Sequence, residues 1–305
     1  MRAGGVPAQV AEEASRALGG RGAGRPFRRV QALGGGCVHR AAHVETEEGT
    51  AAFLKWSGEG VFTGFGVEAR GLLALAERGG VRVPKVLGFS SGESGAAGWL
   101  LLEFVRPGAP GSAIPERLGE GLATLHRPLS KGAPGWEEEG WIGTLPQRNG
   151  PEQEWPAFWR DSRLLPLLSR LEHGFDRKTR AGAEQVLSAI HVALEGWQDD
   201  GLSLLHGDLW SGNVLWDESG DPVLLDPAAY RGHREVDLAM MELFGGFSGR
   251  SFDAYFALAP LAAGYPERRR DAYQLYPLLM HLALFGEGYL PRVRHCILRL
   301  ASAIS

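Results

Sequence analysis

Eight residues constrain this chain more than any others: HGDLWSGN, His206 to Asn213, with Asp226 thirteen positions beyond Asn213. Between them, NVLW (213–216), the polar turn DESGD (217–221) and PVLLD (222–226) read as two short strands and their hairpin. Such a hairpin sets Asn213 and Asp226 at neighbouring strand ends. Gly207, Asp208, Ser211, Gly212 and Asn213 are all turn formers, and a plain loop would use them too. The two spacings, together with the hairpin, favour a chemical reading. Asp208 supplies a carboxylate that can take a proton from a hydroxyl within hydrogen-bond reach. Asn213 and Asp226 supply the hard oxygens that magnesium prefers.

The whole chain, 305 residues, has room for two lobes around a sizeable core. Hydrophobic residues make up 44 % and charged residues 22 %, the balance of an ordinary folded protein rather than a disordered one. A net charge of −4 argues against a general nucleic-acid binder. Nine tryptophans suggest aromatic packing around flat or polyol ligands. Two distant cysteines, Cys37 and Cys296, make no disulfide framework, which suits a reducing compartment. No signal-like start and no membrane-length apolar run is visible, the longest candidates resembling WLLLEFV (99–105). The expectation is a cytoplasmic protein without membrane or nucleic-acid partners. No internal repeat is evident.

Upstream of the motif, 6–18 reads as an amphipathic helix through Val6, Val10, Ala14 and Leu18, followed by a Gly/Arg-rich link. Residues 31–56 read as three strands. Gly34, Gly35 and Gly36 form the first turn, where backbone N–H groups can lie over phosphates. Lys55 sits late in the third strand. Glu68 opens a helix whose apolar face is expected to hold Ala69, Leu72, Leu73 and Ala76. Singly, Lys55 and Glu68 are a surface lysine and a helix-start acid; in this order they read as an ion pair facing phosphates. Cys37, His39 and His43 share one strand face, but no further ligand with convincing spacing makes a zinc site of them. Cys37 beside the glycine turn is a redox candidate, able to cross-link two chains that are otherwise expected to be monomers. Strands at 84–89 and 99–105 follow, the second ending where backbone groups near Glu103 and Val105 would meet an adenine edge. RPGAPG (106–111) breaks the composition, giving lobes at 1–105 and 106–305. The second is helical: 116–127, ending at His126, a core or helix-terminal residue; 157–173, interrupted at Pro166; 177–197; a short helix begun by Asp237; then 266–285 and 291–304. The Trp/Gly/Pro-rich 134–156 is read as a long irregular loop of the kind that is usually functional. Asp237 is either a helix cap or an acid that steadies the 206–213 loop.

Asp208, Asn213 and Asp226, preceded by Lys55 and Glu68, follow the order of protein-kinase-type phosphotransferases. This implies an α+β, two-lobed fold, with an antiparallel N-lobe sheet carrying one main helix and a mainly helical C-lobe. Beyond that order, HGDLWSGNVLW, WIGTLPQRNG (141–150), WPAFWRDSRLLPLL (155–168), DPAAYRGHREVDLAMMELFGGF (226–247) and YQLYPLLMHLALFGEGY (273–289) closely resemble the fructosamine kinase (ketosamine-3-kinase) family. The resemblance covers about 28–290, and aminoglycoside kinases generally lack Trp210 and the GTLPQ…N segment. It implies ATP- and Mg2+-dependent phosphorylation of O-3 of the sugar of a small-molecule or protein-bound ketosamine, leading to deglycation. Asp208 would be the base, Asn213 and Asp226 the metal ligands. Trp210 beside Asp208 suits a stacking platform for a sugar face. Asn149, Tyr230, Glu235 and His281 are further substrate-pocket candidates, each equally readable as a satisfied buried polar group. Met280 and Ala283 stand where many relatives carry asparagines, which leaves the preferred sugar and amine open. The competing readings are a kinase for another hydroxylated small molecule, such as an aminoglycoside or amino alcohol, and a silent nucleotide-binding module.

Overall fold

The computed structural model describes residues 5–19, 27–33, 40–58, 64–92, 96–109, 114–150 and 152–305. The expectations for Gly34, Gly35, Gly36, Cys37 and His39 fall outside these residues. The N-terminal part is a five-stranded antiparallel sheet: β1 (Arg29–Leu33), β2 (Arg40–Glu45), β3 (Ala51–Trp56), β4 (Val86–Ser90) and β5 (Trp99–Glu103), in the order β1-β2-β3-β5-β4. Helix α1 (Ala8–Ala17) covers one face and α2 (Phe65–Arg78) the other. Strand alternation sorts the side chains between them. Ala52, Leu54, Trp56 and Leu101 join Val10 and Ala14 of α1 in one buried cluster, whereas Leu100 and Leu102 turn to α2. Lys55, being out of phase with Leu54, shares the α2 face with Phe53. β5 ends two residues short of the expected strand.

The apolar face of α2 differs from the expected one. Phe65, Ala69, Leu72 and Leu75 are buried, while Leu73 and Ala76 are exposed. The helix begins at Phe65, ahead of Glu68, so Phe65 anchors the stripe and the i, i+4, i+7 phase selects Ala69 and Leu72.

The C-terminal part is largely helical, with α3 (Ile114–Leu125), the β6–β7 hairpin (Gly140–Ile142 and Leu145–Gln147), α4 (Trp155–Phe158), α5 (Leu165–Leu171), α6 (Arg177–Ser188) and α7 (Ile190–Ala193). Strands β8 (Ser203–Leu205), β9 (Val214–Trp216), β10 (Pro222–Leu224) and β11 (Tyr230–Gly232) carry the motif, and α8 (Glu235–Phe244), α9 (Gly249–Leu258), α10 (Arg270–Phe285) and α11 (Leu290–Ala303) close the chain. Two features escaped the sequence reading. The hairpin β6–β7 lies in the segment read as irregular; its signal was the two-residue turn Gly143-Thr144, with Gly143 at φ 59°. Helix α9 was signalled by Ser248, which caps it through the Arg250 N–H, and by Phe252, Tyr255 and Phe256 at helical spacing. Between α4 and α5 the chain widens into a π-helical turn, Trp159–Leu164. No helix among the described residues is long and apolar enough to cross a membrane.

Candidate active site

The expected hairpin is present. β9 pairs antiparallel with β10, and the Leu225 N–H donates to the Asn213 carbonyl at 2.9 Å, extending the ladder one step past the strands. Asp226 follows immediately. It is the single non-glycine residue at positive φ, 54°, among the described residues. Such a conformation costs of order 1 kcal/mol and is held by the ladder before it and by the Ala228 N–H to His206 carbonyl bond after it, 2.9 Å.

The loop that presents Asp208 is fixed from beneath. Asp237, in the first turn of α8, accepts the His206 N–H at 2.7 Å and the Gly207 N–H at 2.9 Å, and contacts His126 Nε2 at 3.1 Å. It therefore anchors the loop rather than capping its own helix. Burial would raise this carboxyl, but the His126 hydrogen bond and the surrounding donors hold it below the usual range. His126 is a fully buried link whose Nδ1 lies 3.1 Å from the Tyr255 hydroxyl, which in turn accepts from Arg234. Next to Asp237, His206 lies 2.9 Å from the Leu225 carbonyl through Nε2 and receives the Asp208 N–H on Nδ1. Burial lowers its pKa, consistent with a neutral ring donating from Nε2.

The Asn213 amide donates to both the backbone carbonyl (2.8 Å) and Oδ2 (2.9 Å) of Asp208. Burial raises the Asp208 carboxyl to about 7, with Asn213 opposing and the charges of Asp226 and Asp237 adding to the rise. Lys55 donates to Glu68 at 2.8 Å and to Asp226 at 2.5 Å. Burial would lower its pKa; the two carboxylates outweigh that and keep it protonated. Five of the predicted residues thus converge from β3, α2, the 206–213 loop and the hairpin.

Trp210 is 42 % exposed, so it is no core aromatic. Its ring lies over Gly212, where a Cβ would stand 2.2 Å from the indole; only glycine fits beneath it. Gly246 abuts Ser211 in the same way. At the end of β5, the Glu103 N–H and side chain are both taken up within the N-terminal part. The N–H donates to the Lys85 carbonyl, and the carboxylate is held by Arg82 (2.5 Å) and the Lys85 N–H. Arg82 also grips Asp217 of the hairpin turn at 2.6 Å. Val105 follows the strand with no backbone partner among the described residues. Phe104 stacks on His43 at 3.9 Å.

The four further pocket candidates are positioned differently. Glu235 is fully buried and bidentate with Arg269 at 2.7 and 2.8 Å, which commits both its oxygens. Tyr230 is fully buried with the Arg163 guanidinium 4.2 Å over its ring, and burial raises its pKa. Asn149 is half-buried, donating to the Glu138 carbonyl and accepting from Arg163 at 3.0 Å. His281 binds the Pro277 carbonyl through Nδ1 at 2.8 Å and packs among Phe244, Phe285 and Tyr289; burial lowers its pKa. Glu235 and Tyr230 are fully buried, the Tyr230 hydroxyl without a hydrogen-bond partner among the described residues, whereas Asn149 and His281 are tied down but remain partly accessible. Asp200, His233 and Glu235 form a carboxylate–histidine cluster, but Arg234 holds Asp200 and Arg269 holds Glu235, so arginines already balance its charge.

The segment after α3 reaches across to α2. Glu138 forms a bidentate ion pair with Arg70, and a Cβ on Gly64 would meet the Trp141 side chain at 2.9 Å. This clamp on the helix bearing Glu68 was not foreseen, because its partners are 68 residues apart.

The sequence profile of the fructosamine kinase family matches residues 12–303. The chloroplast protein-ribulosamine 3-kinase of Arabidopsis thaliana is 37 % identical over 86 % of this chain and 79 % of its own length. A "probable ketoamine kinase" of Thermus thermophilus is 42 % identical over 74 % of this chain and 78 % of its own. A solved structure from Thermobifida fusca, provisionally assigned as a fructosamine-3-kinase, is 33 % identical with a TM-score of 0.83, covering 96 % of this chain and 99 % of that one. An aminoglycoside phosphotransferase, at 16 % identity and a TM-score of 0.61, shares the fold across 97 % of this chain and 99 % of its own. The chain belongs to the fructosamine kinase family.

Proposed function

We propose that the protein moves the γ-phosphoryl group of ATP to O-3 of the sugar of a ketosamine. The product then loses phosphate and frees the amine. Family membership supports the reaction class, and the curated relatives support the acceptor class. The observation that carries the residue assignment is the convergence of Asp208, Asn213, Asp226, Lys55 and Glu68 beside the exposed ring of Trp210.

Asp208 is the base. A carboxyl near 7 is matched to taking a hydroxyl proton at neutral pH, and two bonds from Asn213 fix its direction. Trp210 offers an apolar face to the sugar C–H groups while the loop remains wet. Lys55, held protonated by Glu68, presents positive charge to the phosphates. The donor set fits magnesium: the Asp226 side chain is 51 % exposed, and Asn213, its amide nitrogen spent on Asp208, retains its amide oxygen. When bound, the ion neutralises charge developing on the transferring phosphoryl group. Asp208 and Asn213 supply the positioning that makes the step effectively unimolecular.

The test is mass spectrometry of a glycated amine incubated with protein and ATP. A phosphorylated adduct that decays to the free amine is expected. A stable phosphorylated product, or none across a panel of fructosyl and ribulosyl amines, overturns the acceptor assignment.

A further inference from the structure

One aromatic layer from the catalytic loop lies a cavity of about 250 Å3, bordered by the β6–β7 hairpin and the π-helical turn. Arg148, Arg163 and Arg170 line it, with Leu145, Ser162 and Tyr276 among the rest; no carboxylate among the described residues does. The layer is real on both sides. Arg163 lies 4.2 Å over the Tyr230 ring, and Tyr230 packs 3.2 Å from where a Cβ on Gly207 would stand. Tyr276 lines the cavity and its hydroxyl accepts from the Gln147 amide at 3.1 Å.

Arg163 is the unusual member. It is fully buried, yet its partners are neutral: the Arg148 carbonyl, the Ser162 carbonyl at 3.3 Å, the Asn149 amide oxygen at 3.0 Å, and the faces of Phe158 and Tyr230. Its Nε has no hydrogen-bond partner among the described residues. A buried cation without a counter-ion is costly, and an orphaned buried donor calls for an explanation. Nearby acids are engaged elsewhere: Glu152 accepts the Ser162 hydroxyl at 3.2 Å and Asp161 pairs with Arg160 at 2.7 Å. Arg148 and Arg170 are exposed and have no ion pair among the described residues. Planar guanidinium forks match oxyanions in geometry as well as charge.

We infer that this cavity is an oxyanion subsite, in which Arg148 and Arg170 grip a carboxylate or phosphate and the buried Arg163 behind them sets the sign. The anion is either the acidic group of the acceptor molecule or a free ion; only the first source rests on the ketosamine reading.

The probe for the site is inorganic phosphate, titrated calorimetrically at constant ionic strength with the nucleotide side saturated by ADP. Saturable binding is expected. It should weaken about tenfold or more in Arg148→Ala/Arg170→Ala, and by less in the double Lys variant, which keeps charge but not the forks. Arg170→Ala alone serves if the double variant melts early. Absent binding, or equal affinity in the alanine variants, overturns the subsite. The source is read from KM for fructosyl-glycine against its amide. An acceptor-borne anion gives a preference for the acid that disappears in the double Ala variant. A free anion gives no preference while phosphate still binds. If neither ketosamine turns over but arginine-dependent phosphate binding persists, the ketosamine reading fails and the subsite stands.

Discussion

Asp208→Asn should stabilise the fold while abolishing transfer, and the two effects should separate with pH. Burial, with the charges of Asp226 and Asp237, lifts the Asp208 carboxyl from its usual 3.8 to about 7. A carboxyl raised in the folded state keeps its proton there after the unfolded chain has lost it. Between the two values the folded state binds more protons, so stability falls as pH rises, and above about 7 the penalty is complete. At about 1.4 kcal/mol per pH unit, the gap amounts to ~4 kcal/mol. Partial exposure and solvent screening reduce this to ~2 kcal/mol. An asparagine avoids the penalty and still offers an oxygen to the Asn213 amide. For a chain of this size that is ~4 °C in Tm at pH 8, shrinking to about a third of that at pH 5. Melts in EDTA without nucleotide, at both pH values, are the assay. Equal melting of variant and parent at pH 8, or an equal gap at both pH values, refutes the reasoning.

Three further outcomes follow from contacts around that loop. Asp237→Asn turns a donor toward the His206, Gly207 or His126 N–H, and should cost ~2–4 kcal/mol with collapse of kcat; an unchanged Tm would show that the acid is a mere cap. Arg70 and Glu138 are 42 % and 35 % exposed, so their clamp on α2 is worth ~0.2–1 kcal/mol. Arg70→Glu should therefore lower kcat about two- to fivefold, with recovery in Arg70→Glu/Glu138→Arg; no recovery would remove the ion pair from the mechanism. Trp210→Ala should raise the ketosamine KM about three- to tenfold at constant Tm, since the ring is half in solvent; an unchanged KM would leave it no role as a platform.

What was legible in the sequence was local. Asp208, Asn213 and Asp226 fall within one loop and one hairpin, so turn chemistry and strand length place them without knowledge of the rest. Lys55 was placed by its position late in an apolar strand, ahead of Glu68 and the 206–213 motif. The phase of α2 was not, because Leu73 and Ala76 are as apolar as the residues that replaced them on the buried face, and only the packing partners decide. The surroundings of Glu235 and Tyr230 were not legible for a related reason. An acid or a phenol near a motif reveals nothing about whether Arg269, 34 positions on, or Arg163 will claim it. Asp237 could be read either way until the loop N–H groups were seen to reach it.

The composition break at 106–111 marks a change of secondary structure, but the core does not divide there. One buried cluster holds Phe65, Leu72, Leu100 and Leu102 from before the break with Leu122, Leu209, Leu224 and Leu238 from after it. Leu209 adjoins Asp208, Leu224 lies two residues before Asp226, and Leu72 is one turn from Glu68, so the same apolar contacts that join the lobes register the charged groups against each other. Each of these leucines contributes ~1.5–3 kcal/mol by burial, and neither half can supply the missing side of the cluster alone. The two halves should therefore melt together: a Trp56-only and a Trp159-only fluorescence variant should report the same midpoint. Distinct midpoints would mean that the halves are independent domains, and that the cleft groups are held in place by the ion pairs alone.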